Sequence, residues 1–259
     1  MKNLRTVSDT KRSFYTIHTR PVNSIYRRVV EELMVEMHLL RVNEDFKEDP
    51  IFALGVITTY DRFMETYTPE KDQIKIFEAI CRAQDADPKQ YREEAEGLKT
   101  FVTSKSFDEL MAWLTDSTES SEDGLQGQIH NIAQNQKFKY SRLFGIGLLS
   151  SLEIADAEIL KDEGRLKEAL HTISEALKLP ENKMMQDVEL YRANLEKMVQ
   201  TQQAIADNLA ADRKRREQAA AEKVEAEKKA EMAPVEGTAE EKSDEAGASD
   251  TAADTSSPS

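Results

Sequence analysis

The chain has few of the residues that build disulfide frameworks, tight turns and membrane spans. Among its 259 residues are one cysteine, nine glycines and seven prolines, and aromatic residues make up only 7%. One thiol cannot form an internal disulfide, and scarce glycine and proline argue against a sandwich or barrel with many tight turns. The longest apolar runs, such as residues 51–59, fall far below the roughly 20 residues that a spanning helix needs. These shortages favour a soluble helical protein without a transmembrane segment.

Charge is spread unevenly along a chain whose formal net charge is −14. Residues 1–30 carry seven basic residues against Asp9, whereas residues 232–259 carry Lys242 against seven acids. An acidic chain disfavours nucleic-acid binding, because neutralised phosphates supply most of the non-specific affinity. The first residues also lack the apolar stretch of a secretory signal and leave too short a lead-in for an organelle transit peptide. We therefore expect no nucleic-acid partner, no targeting segment and one basic N-terminal block.

Apolar residues recur at helical spacing, and strand patterns are nearly absent. Thr19 is a predicted N-cap with Pro21 in the first helical turn, and an apolar stripe follows. The stripe consists of Ile25, Val29, Leu33, Met37 and Leu40. The same cap-and-proline pattern predicts helix starts at Asp49-Pro50, Thr68-Pro69 and Asp87-Pro88.

Two apolar segments contain glycines that need an explanation. Residues 51–60 could form a buried strand, but the length of the segment and the lack of flanking turn residues favour a helix. Gly55 within it indicates close approach of a neighbouring backbone. Gly145 and Gly147 superficially resemble a nucleotide-binding loop, but Ser150 stands at its third position and no strand precedes it. They indicate a close helix crossing instead.

The C-terminal half predicts further helices and a change of architecture. Helices are predicted over residues 107–114, 140–160 and 166–179, with an acidic, serine-rich loop at 115–124. A heptad seam then comprises Tyr191, Leu195, Met198, Gln202, Ile205 and Leu209. The composition of residues 207–231 favours an exposed helix.

These patterns together predict an all-α fold with three regions. Residues 1–190 form a single compact multi-helix domain, and residues 191–231 form a long charged helix that is partly coiled coil. An unbroken helix over 181–231 would extend roughly 75 Å at about 1.5 Å per residue. Residues 232–259 form an acidic tail with too little apolar surface to fold, which predicts disorder.

No group of residues has the pattern of a catalytic or metal site. Glu168 and His171 have the spacing of a di-iron ligand pair, but no second copy exists, so a solvated helix face is favoured. The four histidines lie in separate segments. Cys81 falls on an apolar helix face, which predicts a thiol packed in the core. We therefore predict no catalytic residue, no cofactor and no metal.

The basic N-terminal block supplies the candidate contact residues, which are Arg12, Arg20, Arg27 and Arg28. One interpretation is a solvated face whose cations pair internally with Glu31 and Glu32. The other is a patch that binds anionic lipid or an acidic partner, since guanidinium binds carboxylate and phosphate bidentately. The Asp61-Arg62 pair has the same two interpretations, an internal ion pair or part of a partner site.

Several segments occur together in one order, and the combination is specific. They are RTVSDTKR from Arg5, TRP from Thr19, YRRVVEEL from Tyr26, DPIFALG from Asp49, DRFM from Asp61, and residues 140–152. Over roughly residues 1–200 the chain resembles the thylakoid-formation proteins, photosystem II biogenesis factors of cyanobacteria and chloroplasts. Without a transit peptide it resembles the cyanobacterial form.

This resemblance implies an all-helical, non-enzymatic factor at the cytoplasmic face of thylakoids, with a soluble pool. It implies support for photosystem II assembly and repair, and association with FtsH-type membrane proteases. The favoured function is thus an interaction protein that docks on such a protease or on photosystem assembly proteins, with peripheral contact to anionic thylakoid lipid. The alternative is a small-ligand or pigment carrier, or a metal-dependent helical enzyme, with a pocket among the helices.

Overall fold

The computed structural model describes residues 5–116 and 124–231, and all regular structure within these two ranges is α-helical. The helices of these ranges are α1 (Val7–Ile17), α2 (Ser24–Arg41), α3 (Pro50–Met64), α4 (Glu70–Arg82), α5 (Pro88–Thr103), α6 (Phe107–Thr115), α7 (Gly124–Gln134), α8 (Arg142–Ala155), α9 (Glu163–Leu177) and α10 (Glu181–Glu231). The prediction of an all-α protein is confirmed. Residues 117–123 of the predicted loop and the predicted tail at 232–259 lie outside the described residues.

Two of the predicted helix starts have the expected cap. Asp49 accepts a hydrogen bond from the Phe52 backbone N–H at 2.9 Å, and Pro50 is the first residue of α3. At α5, Asp87 accepts from the Lys89 N–H at 2.9 Å, again with proline in the first turn. An aspartate followed by proline is thus a reliable local signal here, because the side chain satisfies a free N–H and proline has none to satisfy.

The other two predicted starts are wrong. Thr19 and Pro21 lie in the connection between α1 and α2, and the cap of α2 is Asn23, whose side chain accepts from the Ile25 N–H at 3.2 Å. At α4 the backbone of Pro69 is extended and occupies the N-cap position, so the helix begins one residue later than predicted, at Glu70. A short polar residue closer to the apolar stripe, or an extended proline, moved each start downstream.

Helices α3 and α8 form the centre of the unit Met1–Ile205. All α3 residues from Pro50 to Tyr60 are buried, as are those of α8 from Leu143 to Leu152. An added Cβ at Gly55 would lie 1.7 Å from the carbonyl oxygen of Leu143, and one at Gly147 would lie 1.9 Å from that of Ile51. The backbones of α3 and α8 therefore touch, which confirms the close approach predicted for Gly55 and the crossing predicted for Gly147.

Gly145 has a different role from the one predicted. The three atoms nearest to an added Cβ there all belong to the Tyr140 side chain, with the hydroxyl oxygen at 2.5 Å. The missing side chain at Gly145 makes room for the tyrosine that precedes α8, whereas the helix crossing depends on Gly147.

The remaining helices of this unit pack around the central pair. Helix α2 packs on α1, α3 and α4, helix α5 packs on α3 and α8, and helix α9 packs on α6 and α7. Tyr191 and Met198 of α10 are buried within the same unit, so the first half of the predicted heptad seam packs against the body. The described part of the unit Ala206–Ser259 is helix, and its described side chains, including seam residue Leu209, are exposed. Coiled-coil pairing stays a prediction.

Truncation of the α2 stripe is expected to destabilise the protein. Leu33 is buried, but it also lines a pocket, so Leu33→Ala enlarges an existing space and should cost about 2 kcal/mol of unfolding free energy. Leu39→Ala, at an exposed position of the same helix, should change it by less than about 0.5 kcal/mol. Urea unfolding followed by circular dichroism measures both. Equal midpoints for the two variants would contradict the assignment of Leu33 to the core.

Candidate functional site

The structure gives three of the four predicted arginines local or internal ionic partners, and those of Arg12 and Arg20 lie in separate places. Arg12 of α1 is exposed, with its guanidinium 3.5 Å from the Asp9 carboxylate one turn earlier. Arg20 lies between α1 and α2, and its Nη1 is 3.0 and 3.2 Å from the two carboxylate oxygens of Asp72 in α4. The Asp72 side chain is only 6% exposed, whereas that of Arg20 is 64% exposed. Arg20 thus compensates a buried negative charge.

Arg27 and Arg28 both lie in the exposed part of α2. Arg28 forms an ion pair with Glu32, with Nε 2.7 Å from the carboxylate. Arg27 makes only a 3.5 Å hydrogen bond to the Val22 carbonyl, and within residues 5–116 and 124–231 it has no ion pair. Glu31, the other acid considered for internal pairing, is held by different residues.

Lys11 and Tyr15 of α1 bind Glu31. The Lys11 ammonium lies 2.8 Å from the carboxylate, and the Tyr15 hydroxyl donates to it at 2.9 Å. These bonds, that of Lys11 above all, hold the pKa of Glu31 below its ordinary value. Internal pairing with Glu31 or Glu32 therefore holds for Arg28, whereas Arg27 has no ion pair within the described residues. Contact of the four arginines with a partner stays a prediction.

The Asp61-Arg62 pair takes part in internal ion pairs. Arg62 contacts Glu153 of α8 at 2.5 Å, and Arg92 of α5 contacts Asp61 at 3.2 Å. Both pairs cross-link α3 to a neighbouring helix, so they have a structural role.

An open groove of about 1030 Å³ is lined mainly by residues of α2 and of the first part of α10, together with residues 140–142. Leu39 of α2 and Leu190 of α10 both line it and are 57% and 50% exposed. Arg27 and Arg28 line the same groove, whereas Arg12 and Arg20 do not. The structure thus brings two of the four predicted arginines together with two exposed leucines.

Charged side chains border the leucines in opposite-sign pairs. Besides the Glu31 and Glu32 pairs, Arg142 at the start of α8 contacts Glu36 at 2.6 Å. Burial raises the pKa of Glu36 above its ordinary value, and Arg142 opposes the shift. The Lys183 ammonium lies 5.5 Å from the centre of the Tyr140 ring. The groove consequently combines exposed apolar side chains with charges of both signs, and it is not the purely basic patch that the N-terminal charge count suggested.

A smaller pocket of about 470 Å³ adjoins the groove, and the two share Arg28, Glu32, Arg142 and Asn194. Its buried lining side chains come from α2, α3, α8 and α10, and are Leu33, Thr59, Phe63, Ile146, Tyr191 and Met198. Its exposed lining residues include Lys197 of α10.

The described residues with potential for metal or thiol chemistry do not form a metal site or an exposed thiol. Among the described residues no group of three or more histidine, cysteine, aspartate or glutamate side chains could hold a metal ion. The imidazole of His171, whose spacing from Glu168 matches a di-iron ligand pair, lies 3.0 Å from Glu181. Cys81 is buried in the core as predicted, and burial raises the pKa of its thiol to about 12. The described helices also include none with the length and apolar character needed to cross a bilayer.

The exposed leucines and Lys183 were not predicted from the sequence. Leu39 stands beside the stripe residue Leu40, and Leu190 precedes the seam residue Tyr191, so both sit one position off a recognised apolar face. That offset is the one sequence signal that distinguishes them. It becomes informative only when the groove lined by α2 and α10 is known.

Comparisons with known proteins agree with this architecture. The family model described as thylakoid formation protein matches residues 6–220. The protein Thf1 of Acaryochloris marina is 58% identical over 217 residues, covering 84% of this chain and 88% of that protein. The Thf1 of Trichormus variabilis is 55% identical over 219 residues, covering 84% and 94%. The solved structure of Psb29 is 41% identical with a TM-score of 0.63, covering 75% of this chain and 98% of that one. The chain belongs to the thylakoid formation protein family.

Proposed function

We propose that this protein is a non-enzymatic docking factor in thylakoid biogenesis and photosystem II assembly and repair. In this proposal its groove between α2 and α10 binds an FtsH-type membrane protease. Membership of the family supports the general role in thylakoid formation and photosystem biogenesis. The observation that carries the docking proposal is the pair of exposed leucines, Leu39 and Leu190, that line one groove.

The chemistry of the groove defines the segment that it would bind. Exposed leucines in an open groove suit the apolar face of an amphipathic helix, a common mode of recognition between proteins. The bordering charges are of both signs, so a partner helix needs both acidic and basic residues beside its apolar face. Arg27, which has no ion pair within the described residues, is the group best placed to bind a partner carboxylate.

The exposed arginines would add a peripheral contact with anionic lipid at the cytoplasmic side of the thylakoid. Arg12 and Arg28 present largely exposed guanidinium groups, whereas Arg20 is held by the buried Asp72. A cation close to an anionic membrane contributes about 1 kcal/mol of binding free energy. Such contacts orient the acidic chain with its basic N-terminal region toward the membrane.

Affinity purification from solubilised thylakoids tests the docking proposal. The double substitution Leu39→Asp with Leu190→Asp should reduce the captured FtsH-type protease at least tenfold, because loss of central apolar contacts usually dominates binding energy. Ile74→Asp is the matched control, since Ile74 is an exposed apolar residue of α4 outside the groove. Quantitative mass spectrometry of the captured proteins gives the readout.

The identity of the lost protein decides between the two partner classes. Loss of a photosystem II assembly protein, with the protease retained, would make that protein the partner. Capture of both at the native level by the double variant would refute docking through the groove. Unchanged circular dichroism of the variants excludes unfolding as the cause.

A further inference from the structure

The pocket beside the groove has the chemistry of a lipid-binding site. We propose that it binds a single-chain anionic amphiphile of the fatty-acid type, with the alkyl chain against the buried lining and the carboxylate at the mouth. The two leucines that carry the docking proposal, Leu39 and Leu190, do not line this pocket, so substitutions of those leucines test docking without altering its lining.

Most of the pocket interior is apolar, which suits an alkyl chain, and Thr59 and Tyr191 add two hydroxyl-bearing side chains to its buried lining. Four of its buried walls are the side chains of Leu33, Phe63, Ile146 and Met198, each from a different helix. Its volume of about 470 Å³ lies within the range of roughly 300–1,000 Å³ that is typical of small-molecule sites. Burial of apolar surface is the main driving force for a chain that enters such a space.

The mouth of the pocket carries a net positive charge. Arg28, Arg142 and Lys197 line it, against the single acid Glu32. Arg28 is paired with Glu32, and Arg142 with Glu36 of the groove. The exposed ammonium of Lys197 has no ion pair among the described residues, so it is the cation available to an incoming anion.

The position of Asn194 adds a second argument for an anionic head group. Asn194 lies one turn before Lys197 in α10 and also lines the mouth, where its amide offers a further hydrogen-bond donor. A carboxylate is an acceptor that both groups can bind at once. A neutral alkyl ligand could not form an ion pair with the Lys197 ammonium. The charge at the mouth therefore favours a ligand with an anionic head group.

Palmitate binding to the full chain, measured by calorimetry below the concentration at which palmitate aggregates, tests the proposal. The native protein should bind one palmitate saturably. Lys197→Gln should weaken palmitate about fivefold and leave neutral hexadecanol unchanged, because an exposed ion pair contributes little to affinity beyond that. Asn194→Trp, which places a bulky ring at the mouth, should weaken both ligands at least tenfold. Lys214→Gln, an exposed lysine of α10 outside the pocket, is the matched control.

Failure would take a clear form. Absence of saturable binding by the native protein, or native affinity in both pocket variants, would overturn the proposal. Equal weakening of palmitate and hexadecanol by Lys197→Gln would overturn the role of the charge.

Vesicles of anionic glycerolipid without free fatty acid distinguish the two sources of the acyl chain. Weaker vesicle association of Asn194→Trp would show that the pocket draws a chain from a bilayer. Native vesicle association, together with lost palmitate binding, would show that it takes the free acid. Both results support one acyl chain below an anionic head group as the chemistry that the pocket recognises, and they differ only in whether the chain comes from a free acid or from a bilayer lipid.

Discussion

Gly55→Ala is expected to lower the free energy of unfolding by about 3 kcal/mol or more. The added methyl would lie 1.7 Å from the carbonyl oxygen of Leu143, a backbone atom that cannot rotate away as a side chain can. Helices α3 and α8 would have to separate along their buried contact, and overpacking of this kind typically costs 1–3 kcal/mol and occasionally more. Gly147→Ala meets the Ile51 carbonyl in the same crossing and should behave alike.

Gly97→Ala is the matched control for this prediction. Gly97 lies in the exposed interior of α5, and nothing lies within 4 Å of an added Cβ. Alanine has the higher helix propensity, so this substitution should stabilise the protein by about 0.5–1 kcal/mol. Urea unfolding followed by circular dichroism gives both values. A midpoint for Gly55→Ala equal to that of the native chain would show that the two backbones do not touch.

The contrast between these glycines shows which parts of the fold can be predicted from sequence. Gly55 lies among apolar residues, so it is not expected on a solvent-exposed face. Close packing of a neighbouring backbone is therefore the simplest interpretation of a glycine at this position. The helix starts at Asp49 and Asp87 are equally predictable from the sequence, because their cap hydrogen bonds reach only two or three residues along the chain. Helix α7, with glycines at 124 and 127 and few apolar residues, was not predicted, since its burial against α9 is a tertiary effect.

The candidate site depends on contacts between distant parts of the chain, so less of it was predictable. The partner of Arg20 lies 52 residues away, and that of Arg142 lies 106 residues away. Proximity in sequence suggested Glu31 and Glu32 as partners for the arginines, which holds for Arg28 alone. Composition could identify the basic block, but the distinction between a free cation and a paired one required the packing of α1, α2 and α4.

Reversal of Arg20, Arg27 and Arg28 to glutamate is expected to have two separable effects. Arg20→Glu should lower the free energy of unfolding by about 1–3 kcal/mol, because it leaves the buried Asp72 carboxylate without a cation and beside a like charge. Arg27→Glu and Arg28→Glu, at exposed positions of α2, should change it by no more than about 0.5 kcal/mol each. The thermal unfolding midpoints of the single variants resolve the two contributions.

The double variant of Arg27 and Arg28 isolates membrane binding from stability. Each cation close to an anionic surface contributes about 1 kcal/mol, so its reversal should reduce association with anionic vesicles at least 30-fold. Association of the native chain should decline as salt rises, because added salt shortens the screening length, which is about 8 Å at physiological ionic strength. Cosedimentation with vesicles of thylakoid lipid composition measures the bound fraction.

Reversal of Arg213 and Arg215 is the matched control, since both are exposed residues of α10 that pair with Glu217 and Asp212 as Arg28 pairs with Glu32. Equal binding by the native chain and the folded Arg27–Arg28 double variant would show that these cations do not contact the membrane.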